Sequence, residues 1–202
     1  MATLKTIVAA YLRTHAQGAR RERDWYRARP TLQSAVKEAA FATTPRSDDP
    51  DDTGKDSHQW RISWGALKSG RARLLDARRK LTVCKSFDEL HQHVHDAVSD
   101  IKGLGELYIY DTAVRIGAQL GLAPTAVYLH AGVRSGAKAL GFESSRRTIE
   151  VREFPKEFQA LEADDIESLL CIYRSQLSGA AIDARSAIGC RGGRAKRPRI
   201  VC

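Results

Sequence analysis

The sequence predicts an all-α protein, a compact helical domain followed by a basic C-terminal tail. Two observations carry that expectation. Apolar residues recur at helical spacing through most of the chain, and only one short stretch, Thr148 to Phe154 (TIEVREF), alternates as a strand does. A strand of that length cannot build a sheet by itself. The 202 residues, 43% of them hydrophobic, suffice for a real core.

Leu4, Ile7, Val8, Tyr11 and Leu12 open an amphipathic helix whose pattern continues to Pro30. It lacks a basic leader and is expected to be a first helix rather than a signal peptide. Leu32, Ala35, Val36 and Ala39 predict a second helix over 32–41, completing an N-terminal helical segment, 1–42. Residues 43–57, with two prolines, a glycine and five aspartates, predict an acidic mobile loop. Helical residues should then fill a domain over 58–178. A third helix is expected near 64–81, with Trp64, Leu67, Leu74, Leu75 and Leu81 inward and Lys68, Arg71, Arg73, Arg78, Arg79 and Lys80 outward.

Ser86 and Glu89 have capping-box spacing. Phe87, Leu90, Val94, Val98 and Ile101 follow as a bulky stripe. After Gly103 and Gly105 another helix covers about 106–120, with Ala113, Gly117 and Gly121 as a small-residue stripe against which the bulky one should pack. A further helix is expected from Pro124 and a last one over about 163–177. Residues 179–202 lose periodicity and gain glycine and arginine, which predicts the tail. No window reaches the ~20 apolar residues of a membrane span, so no membrane partner is expected. Four scattered cysteines, Cys84, Cys171, Cys190 and Cys202, fit reduced thiols in a cytoplasmic, bacterial-type protein.

The net charge of +9 is concentrated in blocks: residues 1–40 carry 8 basic and 3 acidic groups, 60–84 carry 7 and 1, and 179–202 carry 6 and 1. A cationic face of this kind is the footprint of a nucleic-acid binder.

Between the two stripes lies Ile101-Lys102-Gly103-Leu104-Gly105. It resembles the turn of the helix-hairpin-helix family of DNA-binding proteins, whose pattern is apolar-x-Gly-apolar-Gly, over residues 87–121. Glycine permits positive φ and close approach, and the helix that follows offers free N–H groups to a phosphate. The resemblance implies sequence-independent backbone binding through Lys102, Gly103, Leu104 and Gly105. A second, degenerate copy over 127–141 would place Arg134 and Lys138 beside a turn containing Gly132 and Gly136, and Arg71, Arg73, Arg78 and Arg79 would add phosphate contacts. DNA is the expected partner, with RNA compatible. No cofactor is expected beyond a monovalent cation that the resemblance implies at the hairpin.

The family's glycosylases carry an aspartate beyond the hairpin and, in some, a lysine before it. Here the stretch after the hairpin, GLAPTAVYLHAGVR, has no carboxylate, and Leu90 and His91 stand before it. A non-catalytic binder is therefore expected. Two alternatives remain: a helical protein-interaction or scaffold module, and a metal-dependent enzyme using Asp88, His91 and His95, which share one helical face. Trp60 and Trp64 beside Arg61 form an aromatic-cationic patch suited to a ligand or to anchoring the acidic loop.

Overall fold

The computed structural model describes residues 3–179, so the tail expected over 179–202 lies, apart from Gly179, outside the described residues. The protein is mostly helical, with ten α-helices and two small two-stranded antiparallel sheets among those residues.

Helix α1 (Leu4–Thr14) is opened by Thr3, whose hydroxyl accepts from the Thr6 amide at 3.2 Å. The chain does not continue as one helix to Pro30. It breaks at His15 (φ −124°, ψ −37°) and resumes as α2 (Ala16–Arg27). The break has a packing cause: Leu4, Ile7 and Tyr11 enter one hydrophobic core, whereas Trp25 and Tyr26 enter another. Helix α3 (Leu32–Ala40) is capped by Thr31.

Residues 43–57, expected as an irregular loop, instead contain a β-hairpin. Strand β1 (Thr43–Pro45) pairs with β2 (Thr53–Lys55), Thr43 opposite Lys55. Its anchors come from α2: the Tyr26 hydroxyl donates to the Thr43 carbonyl at 2.6 Å and the Trp25 indole to the Pro50 carbonyl at 2.9 Å. Composition could not register these contacts, which are made by residues distant in sequence.

The predicted 64–81 helix is divided at Ala77 into α4 (Trp64–Asp76) and α5 (Arg78–Thr82). Helix α6 (Phe87–Val98) starts at Ser86, whose hydroxyl accepts from the Glu89 amide, while the Glu89 carboxylate accepts from the Lys85 amide. Helix α7 (Glu106–Leu120) packs on α2, α3 and α6. A Cβ at Gly117 would stand 3.3 Å from Leu90, so the bulky stripe does meet the small one there.

No helix begins at Pro124. Strand β3 (Ala126–Tyr128) pairs with β4 (Thr148–Glu150), which buries Val127 opposite Ile149. Between them, α8 (Ala131–Ala139) runs through Gly132 and Gly136, so the turn expected there as a second glycine hairpin is helix. Both glycines permit close packing on the next helix, α9 (Ala163–Ile172). A Cβ at Gly136 would fall 2.3 Å from the Leu170 carbonyl oxygen, and one at Gly132 would fall 2.8 Å from the Cys171 sulfur. Helix α10 (Arg174–Gly179) follows.

The expected division into a 1–42 segment and a 58–178 domain is not how the cores are built. Helix α1 joins α8, α9, α10 and the β3–β4 pair in one core. Helices α2 and α3 join α4 to α7 in the second.

Backbone clearance yields a paired prediction. Gly136→Ala forces α8 and α9 apart and should destabilise by about 1–3 kcal/mol. Gly18→Ala, in the α2 interior with open space around it, should stabilise by about 0.5–1 kcal/mol. Urea denaturation of the two variants checks both signs.

Candidate functional site

The glycine hairpin is held from beneath and open above. Leu104 is buried, its Cδ1 facing Gly70 of α4, where a Cβ would come within 2.8 Å. The Tyr108 hydroxyl donates to the Ala40 carbonyl at the end of α3 (2.9 Å). Above this seat Gly103 takes φ +98°, Gly105 caps α7 in extended geometry, and Lys102, Gly103 and Gly105 are all exposed. No side chain caps α7, so its first-turn N–H groups face outward. Of the three amides expected to serve a phosphate, that of Leu104 is already used, donating to the Ile101 carbonyl at 3.0 Å.

Two further elements bring cations to the hairpin. Arg73 of α4 reaches Asp100 at 3.1 Å, and Arg134 of α8 reaches Glu106 at 3.3 Å. Arg134 also donates to the Ser144 and Arg146 carbonyls, which fixes its direction. Lys138 is exposed one turn further along α8. Arg71 serves differently: its guanidinium lies 5.3 Å from the centre of the Phe41 ring, with Nε buried. Arg78 and Arg79 sit on α5, which packs on α3, α4 and α6.

Asp88, His91 and His95 share a helix but not a task. Asp88 accepts from the Tyr128 hydroxyl, His91 packs on the Tyr128 ring at 4.6 Å, and His95 lies 3.3 Å from Asp96. Burial pushes the His91 imidazole down to about 4, with Arg147 adding to the shift. Among the described residues no group of three or more His, Cys, Asp or Glu side chains is arranged to hold a metal ion. Trp60 and Trp64 are 66% and 60% exposed, with Arg61 5.2 Å from the first ring and Lys55 5.2 Å from the second.

A second feature escaped sequence reading. The flank of α7 that faces α1, α2 and α9 lines a cleft of about 250 Å³. Arg115, only 3% exposed, bridges Glu22 of α2 (2.7 Å) and Asp56 after β2 (2.6 Å). Arg23 pairs with Asp164 (2.5 Å), Tyr11 donates to Asp165 (2.9 Å), and His130 meets Glu167 (2.5 Å). Asp111 accepts from Gln59 at 2.5 Å. Burial pushes its carboxyl up to about 7; Arg115 opposes that rise, and Glu167, Asp56 and Glu22 reinforce it. The sequence signal was slight, an i, i+4 Asp111–Arg115 pair on a helix otherwise apolar on that side.

Comparison of the chain with protein-family models, curated proteins and solved structures returned no match. Among the described residues no helix is long and apolar enough to cross a membrane.

Two predictions follow from the buried charges. Removing Arg115 (Arg115→Ala) leaves two carboxylates facing each other without their cation and should cost about 3–5 kcal/mol in urea unfolding. The two shifted groups should also give opposing pH slopes. Asp111 binds its proton more tightly in the folded state, so its contribution is complete below the ordinary carboxylate range and is lost as pH rises through about 7. His91 binds its proton less tightly when folded, so its contribution is complete above about 6.5 and is lost as pH falls towards about 4. Asp111→Asn should therefore abolish the decline in stability between pH 6 and 7.5, as measured by denaturation at each pH, and leave the His91 limb intact.

Proposed function

We propose that this chain is a non-catalytic nucleic-acid-binding protein that grips the phosphate backbone at the Gly103–Gly105 hairpin. The observation that carries the reading is the hairpin's construction. Its exposed glycine backbone is seated on buried Leu104 and Tyr108 and carries exposed Lys102, while Arg73 of α4 and Arg134 of α8 come to the flanking Asp100 and Glu106. Exposed backbone, an uncapped helix start and converging cations together suit a phosphodiester. The helix-hairpin-helix resemblance belongs to this reading, as does a monovalent cation on the hairpin carbonyls. DNA is the partner proposed, and RNA binding is an outcome the same assay would register.

Glu106 and Asp100 fit the reading as partners that hold Arg134 and Arg73 in place while the site is empty. Each carboxylate can yield its arginine to a phosphate. A protein-interaction module is the second reading, favoured by one observation, the two exposed tryptophans beside Lys55 and Arg61.

Binding of a labelled oligonucleotide, followed by fluorescence anisotropy across salt concentrations, tests the proposal. Affinity should fall as salt rises, with a log–log slope of about −0.9 per phosphate contacted on duplex DNA. Lys102→Ala should reduce that slope by about one contact. Glu106→Gln, which frees Arg134, should tighten binding. Gly103→Ala should weaken binding per folded molecule beyond its strain cost of roughly 1 kcal/mol. Absence of binding to any oligonucleotide at about 50 mM salt would remove the reading.

A further inference from the structure

Two tryptophans have no place in either core. Trp60 and Trp64 lie outside both hydrophobic clusters, and most of each indole is in water. Trp64, expected to point inward at the start of α4, faces out instead, because Leu67, Gly70 and Leu74 take the inward positions. Aromatic side chains have the most surface to bury, so two exposed indoles this close in sequence mark a surface made for an occupant.

The frame that carries them is rigid. The Lys55 ammonium donates to the Trp60 carbonyl at 3.2 Å and to the Ile62 carbonyl at 2.6 Å, which fixes the turn between the two rings. Gln59 anchors that turn to Asp111, and Ser63 caps α4 by accepting from the Ala66 amide at 3.2 Å. Phe41 meets the Trp64 ring edge-on, with centres 5.9 Å apart and planes at 62°. The rings are therefore held outward in advance, and little freedom is lost when something settles on them.

The surroundings are cationic. Residues 57–75 carry Arg61, Lys68, Arg71 and Arg73 and no carboxylate. Arg61 lies 5.2 Å from the centre of the Trp60 ring and Lys55 5.2 Å from that of Trp64, while Arg71 stands over Phe41. Asp56, the preceding acidic residue in the chain, is turned inward to Arg115 at 2.6 Å, and Asp76, the following one, closes α4 at its far end. Aromatic faces interleaved with cations complement a strand whose flat bases alternate with anionic phosphates. A protein partner fits less well, since lysine is depleted where aromatic anchors are buried between proteins.

Helix α4 joins this patch to the hairpin. Trp64 and Lys68 (i, i+4) lie on one flank; Arg73, which reaches Asp100, lies on the other, one turn from the Gly70 on which Leu104 sits. Gly65, Ser69 and Ala72 (i, i+4, i+7) form the exposed ridge between the flanks, and their small side chains keep it low. The distance across is the width of one helix, about 10 Å. We propose that Trp60 and Trp64 are a stacking platform for unpaired bases of a strand whose phosphates run on to the hairpin, so that the partner is a single-stranded segment. The inference rests on the nucleic-acid reading and names its substrate class. Bases paired in a duplex turn their edges outward and keep their faces stacked, so the platform separates single strand from duplex.

Anisotropy and tryptophan-fluorescence titrations of the full chain at low salt compare an oligothymidylate of about 12 nucleotides with a blunt duplex of the same length. The single strand should bind about tenfold more tightly and quench the indole emission. Trp60→Phe combined with Trp64→Phe leaves Trp25 as the one tryptophan, and there quenching should vanish while binding persists. Trp60→Ala and Trp64→Ala should each weaken the single strand about tenfold and leave both the duplex affinity and the thermal melt unchanged. Trp64→Phe should keep most of the affinity, whereas Trp64→Leu, apolar but without a ring face, should lose it; a merely structural tryptophan would not make that distinction. Lys68→Ala should lower the single-strand salt slope by about 0.7. A duplex bound as tightly as the single strand, or alanine variants that spare both probes or weaken both equally, would overturn the platform and leave the hairpin reading standing. Failure of either probe to bind at all would remove the two readings together and leave the tryptophans to a protein partner.

Discussion

The structure depends on one buried guanidinium. Arg115 lies near the middle of α7, shielded from water, and a lone charge there would be prohibitively unstable. Two carboxylates from distant parts of the chain must reach it, Glu22 from α2 and Asp56 from the end of the β-hairpin. That requirement orients α2 along α7 and pulls the turn after β2 inward. The β-hairpin then closes over Trp25 and Tyr26, whose side chains donate to its backbone. Apolar contacts alone would allow α2 to slide or rotate on α7; the ion triad selects one arrangement.

Helix α7 serves two surfaces of opposite electrostatic character. Its N-terminus emerges at the glycine hairpin, with positive dipole end and uncapped N–H groups outward. Its flank, one to three turns further on, lines the acidic cleft. Separation comes from burial. At the hairpin the charges sit in water, screened within roughly 10 Å, so several cations can share one surface. In the cleft, low dielectric strengthens every pairing and makes Asp111 hold its proton towards neutrality. The hairpin's seat and the charged flank belong to one rigid element, so the hairpin inherits its position from the same packing that forms the cleft.

Glycine contributes in two distinct ways. At Gly103 it supplies a backbone conformation, φ +98°, that turns α6 into α7 with little chain. At Gly70 and Gly136 it supplies clearance, letting α4 approach Leu104 and α8 approach the Leu170 carbonyl. Sequence pattern distinguishes these poorly, because both appear as a glycine beside apolar residues. The Gly132–Gly136 pair has the look of a turn, but the helix runs straight through it, since those positions face α9 and no reversal is needed.

The sequence by itself determined the elements whose causes are local. The Ser86 cap, the bulky stripe of α6, the glycine turn and the extent of α7 all follow from neighbouring residues satisfying one another's backbone or sharing a helical face. Most of the hairpin's cations were legible too, because exposed charge needs no partner to be recognised. Tertiary structure alone decided the break at His15, the β-hairpin at 43–55, the β3–β4 pair and the assignment of helices to two cores. Above all it decided the cleft. Glu22, Asp56, Asp111, Arg115 and Glu167 are ordinary surface charges when read along the chain. Only folding brings them together away from water, and it is the loss of that water, absent from any local pattern, that turns solvated side chains into a charged pocket.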